Sequence, residues 1–163
     1  MKGRDAALRA LHHGGRELAQ HLLRIAERHR TDHDVHHLVT DLARWSREHT
    51  HRLAEAGHAS GLDLTEPHHE PSSAMAALRE RTAEAVGKRP EPAIVLLYEL
   101  RELRLASIGN ALYGEMLGQA AQAGGRDGGL LELVTDCHPQ TLRQMRWTNT
   151  MIKQLSAQAL TGI

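Results

Sequence analysis

Aromatic residues are almost absent from this 163-residue chain, which has two Trp, two Tyr and no Phe. An interior with so few rings must be filled by Leu, Ala and other aliphatic side chains. β-Branched residues are also few, whereas Leu, Ala, Arg and Glu are abundant, which is typical of helices rather than strands. The length predicts one domain with a substantial core.

Cysteine is represented only by Cys137. A single cysteine excludes an internal disulfide, so we expect a reducing, cytoplasmic location. The first residues are not followed by the apolar segment of a secretory signal. The longest apolar run, residues 93–98, is far too short to span a bilayer. We therefore expect no membrane partner.

An excess of either charge is also missing, because 20 Lys and Arg balance 20 Asp and Glu. Without a basic excess, the sequence does not predict binding to nucleic acid or to a membrane surface. This balance depends on pH. The chain has 13 histidines, and with a pKa near ~6.5 they would carry it toward roughly +13 by pH 5.

Apolar residues recur at spacings of three and four along most of the chain, which predicts amphipathic helices. The predicted helices span residues 4–29, 32–56, 73–86, 92–123 and 128–160. Thr31 begins the second helix as an N-cap, and Gly57 ends it. Pro139 should kink the last helix or split off its first turns.

The four long helices predict an all-α four-helix bundle that occupies residues 1–163 as one domain. The connection between residues 56 and 92 is long enough to cross the length of the bundle. The helices on either side of it should therefore run parallel, with the short helix 73–86 carried on the crossover.

The predicted helix 92–123 is apolar on more than one face. Its second stripe consists of Leu105, Ile108, Leu112 and Met116. This stripe either packs against the short helix or forms a dimer surface, and the sequence leaves both interpretations open. A homodimer through this helix is the protein partner that we predict.

Twelve of the histidines lie in the first 69 residues. His13, His33, His36 and His37 fall opposite the apolar stripes and should face water. His33, His37 and Asp41 have the i, i+4, i+8 spacing that can hold a divalent ion weakly. A solvated helix face is the simpler interpretation.

Two histidines, His49 and His138, occupy core positions of their stripes. A buried imidazole needs a partner, and a hydroxyl or carbonyl group is the simplest one. Alternatively, the pair binds a transition metal ion or another cofactor, assisted by Glu48, Asn110 or Tyr113.

Two adjacent glycines, Gly14 and Gly15, lie opposite His49 in the predicted bundle. Each costs a helix about 1 kcal/mol relative to Ala, so a packing reason is expected. That reason is room for the indole of Trp45 or room for a small ligand. The predicted pocket residues are Trp45, His49, Asn110, Tyr113 and His138.

The segment Glu48–His51 contains one Glu-x-x-His motif, and Glu17 lies on the preceding helix. Helix 92–123 adds Glu99, Glu102 and Glu115. With the helix order, these residues resemble the ferritin-like superfamily, whose di-iron members carry two such motifs and two further glutamates. The last helix departs from that pattern, because it offers only Asp136 near His138. The apolar stripe also turns His51 outward. Neither oxidase activity nor iron storage is therefore predicted.

The function that the sequence favours is binding or interaction by a non-enzymatic, dimeric bundle. No catalytic residue is predicted, since Cys137 and His138 are adjacent and cannot form a thiolate–imidazole pair on one helix face. The alternatives are a metal- or cofactor-binding protein that uses His49 and His138, and a His-rich assembly that responds to pH.

Overall fold

The computed structural model describes residues 2–65, 91–124 and 128–162 of the chain. Four helices make up nearly all of these residues: α1 (Lys2–Arg28), α2 (His33–Ala59), α3 (Pro92–Gly124) and α4 (Gly128–Thr161). The described ranges contain no strand, so the predicted all-α four-helix bundle is confirmed. The predicted short helix 73–86 lies outside the described residues.

Side-chain contacts fix the direction of each helix. His29, just after α1, contacts Glu99 near the start of α3, and Gly14 of α1 faces Asn110 further along α3. Thus α1 and α3 are antiparallel. The chain turns back directly between α1 and α2, which pack side by side. Arg104 of α3 contacts Met145 of α4, and Gly118 further along α3 faces Val134 earlier in α4, so these two helices are also antiparallel. It follows that α2 and α3 run parallel, as the length of their connection predicts.

The turn between α1 and α2 differs from the prediction by one residue. Asp32, rather than Thr31, is the N-cap, and its carboxylate accepts a hydrogen bond from the Val35 backbone N–H at 3.2 Å. Asp is one of the side chains that best satisfy the free N–H groups of a first turn. Both residues are plausible caps in the sequence, so only the backbone geometry distinguishes them.

Gly57 does not end α2, which continues to Ala59. Instead, Gly57 is buried where the following loop folds back. A Cβ atom at this position would lie 2.8 Å from Cδ1 of Leu64. The glycine therefore permits close packing of the buried Leu64 side chain, and the reversal of the chain falls at Gly61, whose φ of +76° suits glycine.

Pro139 does not split the last helix, which is continuous over Gly128–Thr161. Proline lacks only its own N–H, so it removes the one helical hydrogen bond to the Thr135 carbonyl. The turns on both sides are anchored, with Leu133 before the proline and Gln144 after it both buried. This tertiary packing keeps the two parts of α4 in one helix.

The buried face in the first part of α4 is displaced by one residue from the predicted stripe. The buried positions of α4 are Leu130, Leu133, Gln144 and Thr148. The residues predicted to face inward are Val134, His138, Thr141, Met145, Thr148, Ile152, Leu155 and Ala159. The prediction is correct at Thr148, and Ile152 and Leu155 pack against the core. Before Thr148, the true face carries the buried Gln144 and the half-buried Gln140, which is why the sequence pattern favoured the neighbouring face.

The core consists of two apolar clusters, one near each end of the bundle. Cluster I lies near the α1–α2 turn, and its buried members are Leu18, Leu22, Ile25, Ala26, Val35, Val39, Leu42, Ala43, Leu96, Leu100 and Leu103. Cluster II lies toward the opposite end and contains Leu8, Leu53, Leu64, Leu117, Leu130 and Leu133. Between the clusters, the helices contact one another mostly through polar and small residues. These residues, here called the polar layer, are Gly14, Gly15, Ser46, His49, Thr50, Asn110, Gln140 and Gln144.

Among the described residues, no helix has the length and apolar character needed to cross a bilayer.

Candidate ligand-binding cavity

A cavity of about 60 Å³ lies in the polar layer, where all four helices contribute to its wall. Leucines of the two clusters form its apolar sides. The polar side chains that line it are Ser46, His49, Thr50, Asn110, His138, Thr141 and Gln144. No Asp, Glu, Lys or Arg is among the described residues that line it. The cavity is therefore uncharged but rich in hydrogen-bonding groups.

The two adjacent glycines allow two helices to approach α1 closely. A Cβ atom on Gly14 would lie 2.3 Å from Oδ1 of Asn110 on α3. A Cβ atom on Gly15 would lie 2.6 Å from Cγ2 of Thr50 on α2. The expected packing reason exists, but the neighbours are Asn110 and Thr50. Trp45, which was predicted to fill this space, packs against cluster I instead.

His49 is half-buried and is held by a hydrogen bond across the bundle. Its Nε2–H donates to the side-chain carbonyl of Gln140 on α4. Burial is the main cause that lowers the pKa of His49, and the charge of Arg52 lowers it further, whereas Gln140 and Glu48 oppose the shift. The imidazole is therefore neutral at pH 7. With its one proton on Nε2, its Nδ1 atom is a hydrogen-bond acceptor.

Asn110 carries an acceptor without a partner. Its Oδ1 atom is buried and makes no hydrogen bond within the part of the chain that the structure describes. This atom faces the Cα of Gly14, where a C–H···O contact is at most a weak substitute for an N–H donor. An unpaired buried carbonyl costs about 1–3 kcal/mol, so Asn110 is destabilising unless another molecule supplies a donor.

Gln144 forms the floor of the cavity and links α4 to α2. Its Nε2 group donates to Oγ of Ser46 at 2.9 Å and to the backbone carbonyl of Leu42 at 3.3 Å. The side chain is buried, with 5 % of its surface exposed. Gln140 and Gln144 both contact α2 near the cavity, and the sequence-based prediction did not include them. The spacing of Leu130, Leu133 and Trp147 along the same face of α4 would have indicated that these glutamines point inward.

His138 lies at the mouth of the cavity and is not part of the core. It lines the cavity but is exposed, so the predicted buried pair with His49 is wrong. The cause is the displaced stripe of α4, which turns His138 outward by one residue. Tyr113 is also exposed, at 39 % of its surface, and is not among the lining residues.

The exposure of the other histidines agrees only in part with the prediction. His13, His33 and His37 are exposed, as predicted. The prediction was wrong for His36, which is half-buried and whose Nδ1–H donates to the Ala26 carbonyl in the last turn of α1 at 2.8 Å. This contact satisfies a carbonyl at the C-terminus of a helix.

His12 is buried, although the sequence-based prediction did not include it among the buried histidines. It exposes 7 % of its surface. Burial is the main cause that lowers its pKa, and the charges of Arg16 and His13 add to the effect. Its position between Leu8 and Gly15 on the buried face is the signal that would have found it.

The candidate metal ligands are not gathered together. Glu48 is exposed beside the half-buried His49. On the surface, the His33 and His37 rings stack with centroids 6.4 Å apart, and Asp41 pairs with Arg44 at 3.2 Å. Within residues 2–65, 91–124 and 128–162, no group of three or more His, Cys, Asp or Glu side chains has an arrangement suited to a metal ion.

The glutamates that resembled di-iron ligands have other partners. The carboxylate of Glu99 accepts hydrogen bonds from Arg28 and, at 2.9 Å, from Nε2 of His29. Glu102 pairs with Arg101. Both carboxylates are buried, but neither lines the cavity. His51 is exposed, as predicted, and pairs with Glu55 on the surface.

The fold and the cavity define an all-helical bundle with an uncharged interhelical pocket. Comparison with protein families, with curated proteins and with solved structures finds no match to this chain.

Proposed function

We propose that the protein is a non-enzymatic binding protein whose ligand is a small neutral molecule with an N–H or O–H donor. The observation that carries this proposal concerns Asn110, whose side chain lines the cavity. Its buried Oδ1 atom lies against Gly14 and has no hydrogen-bond partner among the described residues. Interhelical cavities with a few convergent polar groups are common ligand sites in helical bundles.

The lack of ionised side chains in the wall favours a neutral ligand. A charged molecule would lose its hydration on entry without gaining a counter-charge, and this loss is expensive in a buried site. A neutral amide would instead donate an N–H to Asn110 or to Nδ1 of His49.

The volume limits the ligand to a few atoms. An apolar cavity of about 150 Å³ holds benzene, whereas a water molecule needs about 10–15 Å³ by the same measure. A volume of about 60 Å³ lies between these values and therefore suits a molecule larger than water but smaller than benzene, with roughly two to five non-hydrogen atoms.

The reactive groups near the cavity favour binding over catalysis. Burial raises the pKa of the Cys137 thiol, so the nucleophilic thiolate is disfavoured at neutral pH. The lowered pKa of His49 makes it a weak base. The one N–H group of the neutral His49 ring already donates a hydrogen bond to Gln140. No nucleophile paired with a base is therefore proposed.

The test compares three probes of equal size: acetamide, acetone and acetate. Titrations followed by amide NMR should give saturable shifts around Asn110 and His49 with acetamide. The effect should be at least several-fold weaker with acetone, which lacks a donor, and with acetate, which is charged. Equal responses to all three, or none to acetamide, would refute the proposal.

Two variants test the location of binding. Ala111→Leu places a larger side chain in the cavity wall and should abolish the acetamide response, while Ala157→Leu at an exposed position of α4 should leave it unchanged. Asn110→Leu removes the unpaired acceptor, and we expect it to raise the melting temperature and to remove the preference for acetamide over acetone. An unchanged acetamide response in Ala111→Leu, or a preference for acetamide over acetone that persists in Asn110→Leu, would place the site elsewhere.

A further inference from the structure

Exposed apolar side chains are concentrated on α3. Among the described residues, six large apolar side chains are exposed, and four of them belong to this helix: Leu105, Leu112, Tyr113 and Met116. Leu105, Leu112 and Met116 are each more than half exposed. Their spacings of seven and four residues place them in one row along a helix. This row is called the outer face of α3.

The outer face is opposite the side of α3 that enters the core. Leu100, Leu103 and Leu117 are buried against the other helices. Gly109 lies between Leu105 and Leu112 on the outer face, and no atom of another described residue lies within 4 Å of the point where its side chain would begin. The helix is therefore apolar on two sides, and the described residues leave the second one exposed.

The charges that border the outer face are arranged symmetrically. Arg101 and Glu115 are both exposed on the same flank of the row. They lie seven residues before and seven residues after Ile108. Consider a twofold axis at Ile108 that pairs α3 with an antiparallel copy of itself. This axis brings Arg101 opposite the partner's Glu115, and it also brings Glu115 opposite the partner's Arg101. A surface that complements itself in this way is the requirement for an isologous dimer.

We propose that the outer face of α3 is the homodimer interface and that two copies pair through it in antiparallel orientation. Leu105 then lies level with the partner's Leu112, and the bare backbone of Gly109 lets the helices approach near the axis. The methylene groups of Arg101 cover the partner's Met116. The formal net charge of zero at pH 7 means that two copies do not repel each other.

The oligomeric state in solution tests this interface. Sedimentation equilibrium should show a dimer for the unmodified chain, and Leu112→Asp should shift the dissociation constant upward at least tenfold. Leu160→Asp, at a position of α4 that is 65 % exposed, is the matched control and should leave the dimer intact. A monomeric chain, or equal effects of the two variants, would overturn the proposal.

Charge exchange tests the orientation. Arg101→Glu alone and Glu115→Arg alone each place like charges together at two points and should weaken the dimer. Arg101→Glu also removes the contact with Glu102 of the same chain, so Arg101→Gln, which removes that contact without adding a negative charge, is its control and should weaken the dimer less. The double exchange restores both pairs and should recover most of the affinity. No recovery in the double variant would refute the antiparallel pairing.

Disulfide trapping tests the register in a Cys137→Ser background. Gly109→Cys lies beside the axis and should cross-link under mild oxidation. Met116→Cys should not, because two copies of residue 116 would be separated by roughly 24 Å along the helices at 1.5 Å per residue. Equal cross-linking at both positions would indicate parallel helices and would overturn the proposal. The acetamide titrations do not depend on these outcomes, because the cavity lies on the opposite side of α3.

Discussion

Cluster I and the polar layer are neighbouring parts of one bundle that are packed by different means. In cluster I, Leu22, Ile25, Leu100 and Leu103 are completely removed from solvent and contact one another as aliphatic side chains. In the polar layer, the helices are joined by hydrogen bonds such as His49 to Gln140 and Gln144 to Ser46. The cavity lies among the directional contacts of the polar layer.

The two regions differ in how much each contributes to the stability of the protein. Apolar burial contributes about 25 cal/mol per Å² without requiring any particular geometry. Hydrogen bonds add only about 1 kcal/mol each, and they leave a penalty where a partner is missing. The Asn110 carbonyl is such a case. The polar layer is therefore expected to contribute less stability than cluster I, at the position where we propose that a ligand binds.

The largest expected effect comes from truncating cluster I. Leu100→Ala removes a side chain with no solvent exposure and should lower the free energy of unfolding by about 3 kcal/mol. Leu11→Ala, at a half-buried position that already borders the cavity, should cost about 1 kcal/mol, since fewer contacts are lost. Urea denaturation monitored by circular dichroism measures both. Equal losses would mean that the two regions are packed alike.

A smaller effect is expected from adding one methyl group in the polar layer. Gly15→Ala should destabilise the protein by about 1–2 kcal/mol, although alanine is the better helix former. The reason is the 2.6 Å approach to Cγ2 of Thr50. Thr50→Ser removes that methyl group, keeps the hydroxyl that donates to the Arg47 carbonyl, and should rescue Gly15→Ala.

Gly114 provides the control for that substitution, because it lines the same cavity but has no atom within 4 Å of an added Cβ. Gly114→Ala should raise the free energy of unfolding by up to about 1 kcal/mol. If Gly114→Ala and Gly15→Ala change stability in the same direction, close helix approach is not the reason for Gly15. Urea titrations again supply the values.

The smallest effect is a dependence on pH. Burial lowers the pKa of both His12 and His49 from 6.5 in the folded protein. Below about pH 6.5 the unfolded chain therefore binds more protons at these positions than the folded chain. Their contribution to stability is complete above pH 6.5 and declines as the pH falls toward the lowered values. Stability should thus decrease on acidification.

His49→Gln removes one of these groups, and His33→Gln removes an exposed histidine as a control. The midpoint of urea denaturation, measured between pH 7.5 and 5.5, should fall less for His49→Gln than for the unmodified chain. His33→Gln should match the unmodified chain. Identical pH profiles for both variants would show that His49 does not contribute.

Much of the architecture was predictable from residue patterns because helix periodicity is local. The spacing of Leu8, Leu18, Leu22 and Ile25 predicts α1, and the long connection before Pro92 predicts the parallel course of α2 and α3. The helix ends were less predictable. Thr31 and Asp32 are equally suitable N-cap residues. Glycine is typical of helix ends, but Gly57 lies within α2 and makes room for the side chain of Leu64.

The site was predictable only in part. The level of the polar layer follows from counting along the helices, which correctly sets Gly14 and Gly15 beside Asn110 and near His49. The error at His138 came from α4, where two stripes one residue apart are both plausible. Polar Gln140 and Gln144 make the true buried face look exposed, because their partners on α2 are nearly a hundred residues away.

The sequence by itself determined the helices, their order and the apolar character of cluster I, since these follow from propensity and from the spacing of leucines a few residues apart. Only the tertiary structure decided which polar groups are satisfied. The pairing of His49 with Gln140, the unpaired Asn110 and the outward position of His138 depend on the rotation of α4 about its axis. That rotation is set by contacts between distant helices, and no local pattern encodes it.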